Sequence, residues 1–161
     1  MKEPASDRLA AEVAAYGDDS ELRAIVEDVC RITGMGFAAI ARVTADRWIA
    51  CQVADQIEFG LDPGDELQIK TTICNDIREC GAAIVIDHVN ADEQWRTHPT
   101  PMLYGFESYA SFPIILEDGS FYGTLCAIDP EPHVVSSAEI VEGMRRNAAR
   151  AAQILSRPPS R

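Results

Sequence analysis

Long apolar runs are missing from this 161-residue chain. No stretch approaches the roughly 18–20 apolar residues of a membrane span. The first ten residues, MKEPASDRLA, also lack the apolar centre of a signal peptide. Basic residues are scarce: 14 Lys and Arg stand against 26 Asp and Glu, a net charge of −12. That deficit excludes nucleic acid as a partner, because phosphate neutralisation needs a basic face. Cysteine is present but in the wrong pattern for a framework. Five residues, an odd number without C-x-x-C spacing, exclude a disulfide scaffold or zinc knot. Reduced thiols and a cytoplasmic location are the expectation. Internal repeats and low-complexity tracts are absent too. What is present is an ordinary globular balance of 47 % apolar and 25 % charged residues, enough for one domain with a real core.

The acidity is uneven. Residues 1–135 carry nine bases against 24 acids, whereas residues 136–161 carry five arginines against Glu139 and Glu142. A basic tail on an acidic body fits a contact to a partner, and equally fits arginines complementing the negative end of a helix.

Periodicity divides the chain into an N-terminal extension or partial helix (1–19), a domain (20–156) and a short tail (157–161). Leu22, Ile25, Val26, Val29 and Ile32 share one helical face, predicting a helix over Ser20–Thr33 with Asp18 and Glu21 as a capping box and Gly34 as its stop. Phe37–Val43 and Trp48–Val53 read as two strands. Thr72–Cys80 reads as a helix capped by Thr71 or Thr72, and Ala83–Asp87 as a short buried strand. Asn90–Glu93 resembles a capping signature for a helix of about two turns limited by Pro99, with a further helical turn over Met102–Phe106. Tyr109–Glu117 and Ser120–Ile128 flank Asp118-Gly119, which predicts a hairpin with a two-residue type I′ turn. In that register Leu116 faces Phe121, Phe112 faces Leu125 and Ser111 faces Cys126. Phe121 then shares a face with Phe112 and Leu125, while Tyr122 joins Tyr109, Ser111, Thr124 and Cys126. Neither face suits water, so the hairpin belongs in the middle of a sheet covered on both sides. The face mixing small polar groups with aromatics suits a pocket floor. Ser136 and Glu139 form a capping box for a last helix reaching about Ser156. Its stripe of Val141, Met144, Ala148, Ala151 and Leu155 serves either a dimer seam or packing inside the fold.

This order of elements, with Thr72–Ile77 (TICNDI), Tyr104–Ile114 (YGFESYASFPI) and Asp118–Asp129 (DGSFYGTLCAID), resembles a GAF domain of the kind found in bacterial sensor histidine kinases. The resemblance implies an α+β fold: a central antiparallel sheet of five or six strands, terminal helices on one face, and short helices and loops roofing a pocket on the other. It implies a sensory module that binds a small molecule, forms a homodimer through its terminal helices and reports to a kinase or other output domain. No output motif follows Ser156, so the chain is expected to be a fragment of a sensor or to act on a partner in trans.

Carried onto this chain, the resemblance makes Cys74, Trp95, His98, Tyr104, Tyr109, Ser111, Thr124 and Cys126 the candidate ligand-binding residues. The ligand itself is unassigned. Thr97-His98 occupies the place of the Cys-His pair that holds a linear tetrapyrrole in cyanobacteriochromes. His98 matches the stacking histidine, but threonine cannot form the thioether, so covalent pigment is not expected. The cyclic-nucleotide residue set is not matched. Asp87, His88 and His98 match no metal-ligand spacing, so no metal is expected. GAF-type methionine sulfoxide reductases need an activated and a resolving thiol. Asn90–Ser108 carries no cysteine, and Cys74 and Cys80 fall on different helix faces. No catalysis is therefore expected. A thiol-dependent reductase and a ligand-free dimerisation domain with a filled core remain the alternatives.

Overall fold

A computed structural model describes residues 8–68 and 73–158. A six-stranded antiparallel sheet forms its centre, with strand order β3-β2-β1-β6-β5-β4. The strands are β1 (Phe37–Val43), β2 (Trp48–Asp55), β3 (Glu66–Leu67), β4 (Ile84–Ile86), β5 (Ser108–Ile115) and β6 (Phe121–Asp129). Three helices cover one face: α1 (Arg8–Ala14), α2 (Ser20–Thr33) and α5 (Ala138–Leu155). Two short helices, α3 (Cys74–Cys80) and α4 (Pro99–Tyr104), lie with connecting loops over the other.

The helix-side core follows the sequence stripes. Leu22, Ile25, Val26 and Val29 of α2 are buried against the sheet, each burial stabilising by about 1.5–3 kcal/mol. The α2 cap is Asp19, not Asp18: its carboxylate accepts the Glu21 and Leu22 N–H groups. Gly34 ends the helix at φ +76°, as a left-handed stop requires. In α5, Met144, Ala148, Ala151 and Leu155 are all buried against α2 and the sheet, and Val141 packs partly buried on the same core. Of the two uses open to this stripe, packing inside the protomer is the one observed. Asn147 ties the two helices together, donating to the Asp28 carboxylate (3.1 Å) and the Gly143 carbonyl (3.0 Å). Ser137, not Ser136, caps α5. The Ser136 hydroxyl instead donates to Asp87 at the end of β4, as do the Val135 and Ser136 N–H groups.

The β5–β6 hairpin keeps the expected pairs Phe112–Leu125 and Ser111–Cys126 but departs from alternation near its turn. Glu117-Asp118-Gly119 forms a three-residue loop: Gly119 N–H donates to Leu116 C=O, and Leu116 N–H to Ser120 C=O. Only Gly119 has positive φ, whereas a type I′ turn needs it at both central residues. A bulge accompanies this loop, so Ile115 rather than Leu116 lies opposite Phe121. Tyr122 is thereby turned to the helix side and Phe121 to the roof side, the reverse of the expectation. A second bulge, between β1 and β2, leaves Cys51 and Gln52 both directed to the helix side. At the sheet centre, Gly123 packs on β1 so closely that a Cβ would sit 1.8 Å from the Ala41 oxygen.

The roof segment also differs from expectation. Asn90–Glu93 does not start a two-turn helix. Val89–Ala91 is a single 3-10 turn, and Asp92 folds back to accept the Gln94 and Trp95 N–H groups. Pro99 opens α4 instead of limiting a preceding helix, because its missing N–H costs nothing in a first turn. The Thr71 and Thr72 caps proposed for α3 lie outside the described residues. Described α3 starts at Cys74 and stops at Gly81, φ +73°.

Candidate functional site

Two of the sheet's inner strands supply a polar island on an otherwise apolar floor. Tyr109 and Ser111 of β5 and Thr124 and Cys126 of β6 alternate onto the roof side, and Ser111 lies directly opposite Cys126. Cys74, on the first turn of α3, reaches down onto them. Its sulfur lies 3.1 Å from Thr124 Oγ1, 3.7 Å from Tyr109 OH and 3.9 Å from Ser111 Oγ. All five side chains are buried. The Cys126 thiol, burial opposing, and then Thr124, Trp48 and Tyr109 act on this sulfur; the net result holds Cys74 below the ordinary thiol range. Its neighbour Cys126 moves the other way, since a proton shared toward Cys74 is harder to remove. Cys30 and Cys51 lack such donor sets, and burial pushes both up to about 11.

Above the island lies an apolar cavity of about 40 Å³, walled by Phe37, Trp48, Ile73, Cys74, Tyr109 and Cys126 among others. That volume holds a few water-sized molecules. The Trp48 Nε1–H is buried and acts on the Cys74 sulfur from outside ordinary hydrogen-bond geometry. A wider groove of about 550 Å³ runs outside it, between loop 57–61, α4 and the end of β6. The two spaces share Phe59, Leu61, Leu67, Tyr104, Phe106 and Ile128 as a common wall. Phe59 stands between Phe37 (4.8 Å between ring centroids) and Tyr104 (5.9 Å), on the wall common to the two spaces. Asp55 positions Phe59: its carboxylate accepts the Ile57, Phe59 and Gly60 N–H groups. Partial burial opposes ionisation of Asp55, yet these donors prevail and hold its pKa below the usual carboxylate value.

Of the eight candidate residues, five converge on the island, and Tyr104 joins them at the cavity wall. Trp95 and His98 do not line either space. They pack on each other, ring centroids 4.8 Å apart, and the His98 ring accepts the Thr100 N–H to cap α4. Asp87 and His88 are likewise engaged elsewhere, Asp87 at the start of α5 and His88 with Glu107 at 3.6 Å. Trp48, Phe37 and Phe59 were not anticipated. Period-two alternation from Ala39 and Ala41 would have placed Phe37 on the floor, whereas Phe59 sits in a loop with no periodic signal.

A single antiparallel sheet with paired terminal helices on one face and short helices and loops roofing a pocket on the other defines an α+β fold of the GAF-like class. The chain belongs to the GAF domain family, whose model matches residues 19–155. No curated protein sequence matches it significantly. Solved structures share the fold at low identity. The blue-light absorbing form of the Thermosynechococcus elongatus PixJ GAF domain has a TM-score of 0.65 at 8 % identity, covering 92 % of this chain and 86 % of that one. The GAF-B domain of DevS from Mycobacterium smegmatis scores 0.58 at 17 %, covering 83 % and 88 %. A type II free methionine-R-sulfoxide reductase from Thermoplasma acidophilum scores 0.63 at 10 %, covering 89 % and 92 %. No helix among the described residues is long and apolar enough to cross a membrane.

Proposed function

We propose that this domain is a cytoplasmic sensory module that holds a small molecule between sheet and roof and passes its occupancy to an output partner of the histidine-kinase kind, working as a homodimer. The apolar pocket between the sheet and the roof carries this reading. Its wall is aromatic and aliphatic with Cys74, Tyr109 and Cys126 on one side, which suits a small, mainly apolar ligand. A ligand larger than the inner cavity enters by displacing Phe59 and Tyr104 toward the outer groove.

A mechanical route to the terminal helices supports the signalling half. Asp87 follows β4 and precedes the roof segment, and it grips the first residues before α5 through three hydrogen bonds. The Asp87 carbonyl also accepts the His133 N–H at 3.1 Å. Movement of the roof on ligand binding therefore acts directly on the start of α5.

Native mass spectrometry with an absorption spectrum of freshly purified protein tests this. A retained mass or visible band is expected, lost when Tyr104 and Phe59 are both replaced by Ala. Protein that emerges unliganded, with no thermal shift across a small-molecule library, overturns the ligand reading and leaves dimerisation as the role. The donor set on Cys74 favours a second reading, a thiol-dependent reductase. Turnover of free methionine sulfoxide with a dithiol reductant would establish it, and no turnover removes it.

A further inference from the structure

We propose that Cys74 and Cys126 form a hydroperoxide-reactive thiol pair, with Cys74 attacked first and Cys126 closing a disulfide onto it. The proposal is independent of the held-ligand reading, because it needs only the small inner cavity. Two observations converge. The two cysteines border the same cavity, whose size matches hydrogen peroxide rather than a larger oxidant. The Cys74 sulfur stands over Thr124 and Ser111, respectively the same-face neighbour and the cross-strand partner of Cys126, so the two thiols meet on one spot of the floor.

The hydroxyls of Thr124, Tyr109 and Ser111 also have a task in this chemistry. They steady charge on the Cys74 sulfur, in a site whose wall carries no cationic side chain among the described residues. The Cys74 sulfur attacks one peroxide oxygen. An S–O bond forms, the O–O bond breaks, and the hydroxide released takes up the proton lost by the Cys74 thiol and leaves as water. Sulfur is oxidised by two electrons and the peroxide is reduced. The Cys126 sulfur then displaces the sulfenic hydroxyl: an S–S bond forms, the S–O bond breaks, and the Cys126 proton leaves with that hydroxyl as a second water.

The test uses the reduced full chain carrying Cys80→Ser, which removes the exposed thiol. The protein is treated with stoichiometric hydrogen peroxide, acid-quenched, denatured, alkylated and mapped by peptide mass spectrometry. Loss of two alkylatable thiols in one Cys74–Cys126 linked peptide is expected, forming at least tenfold faster than any oxidation of Cys30 or Cys51. In Cys126→Ser the expected product is a Cys74 sulfenic acid captured by dimedone. Full alkylation of Cys74 after treatment, or oxidation spread evenly over Cys30, Cys51 and Cys74, overturns the proposal. The mapping on otherwise wild-type protein decides it even if Cys126→Ser does not fold.

Discussion

A thiol on a sheet face is ordinary packing until its partners are counted. Cys74 differs from Cys30 and Cys51 because two hydroxyl-bearing strands were aligned beneath it, with Thr124 only 3.1 Å away. The titratable groups facing it are Cys126 from β6 and Tyr109 from β5, and both are neutral while Cys74 ionises. Thr124→Val keeps shape and removes the nearest hydroxyl. We expect the pH midpoint for modification of Cys74 by a small electrophile to lie below the ordinary thiol value of about 8.5 and to move upward in Thr124→Val. Equal midpoints in the two proteins would count against a donor-stabilised thiolate. Gly123 poses a simpler steric case. Its Cβ would overlap the Ala41 carbonyl, a backbone atom that cannot step aside without parting β1 from β6. Gly123→Ala should therefore cost about 3 kcal/mol or more, seen as a lower denaturant midpoint.

Among the elements, the regular ones were legible and the irregular ones were not. The bounds of α2 and β1 follow from apolar spacing and flanking glycines, and the Ser111–Cys126 pairing from the alternation of β5 and β6. That alternation also put Tyr109, Ser111, Thr124 and Cys126 on one face. Bulges defeat such counting, because one extra residue flips every side chain beyond it, as Tyr122 and Cys51 do. The roof is illegible for another reason. Its turns are held by Asp92, Glu107 and Asp55 side chains accepting backbone N–H groups, and such bonds have no period. Loop 56–60 depends on Asp55 in particular. Because its folded pKa is lowered, its contribution is complete above the unfolded value of about 3.9 and is lost as pH falls through the folded one. Amide exchange at Phe59 and Gly60 should accordingly lose protection in acid, and in Asp55→Ala at neutral pH by about tenfold or more, the equivalent of losing one net hydrogen bond. Protection in β1 should stay unchanged. Unaltered exchange at Phe59 in Asp55→Ala would remove the carboxylate from the control of this loop.

At the scale of the whole molecule, the segment joining α1 to α2 meets the end of α5 behind the sheet. Tyr16 OH donates to the Arg157 carbonyl, and Glu117 N–H to Ser156 Oγ, so the end of α5 is fastened to both the N-terminal helices and the hairpin loop. The stripe that a dimer would have used is spent inside the protomer. Met144 and Ala151 are fully buried, while Glu142, Arg145, Arg146, Ala149 and Gln153 form the outward surface of α5. Any self-association through this helix must therefore use its outer face. Two substitutions separate the roles. Met144→Ala leaves a cavity between α2, α5 and the sheet and should cost about 2–5 kcal/mol in unfolding free energy, with the association constant unchanged wherever the protein is still folded. Ala149→Glu adds charge and bulk to the exposed face and should weaken association in sedimentation velocity while leaving the melting temperature nearly where it was. If Met144→Ala dissociated the protein without lowering its melting temperature, the buried stripe would have to be an intermolecular seam after all. The packing of Met144 against α2 would then belong to a different arrangement of the terminal helices.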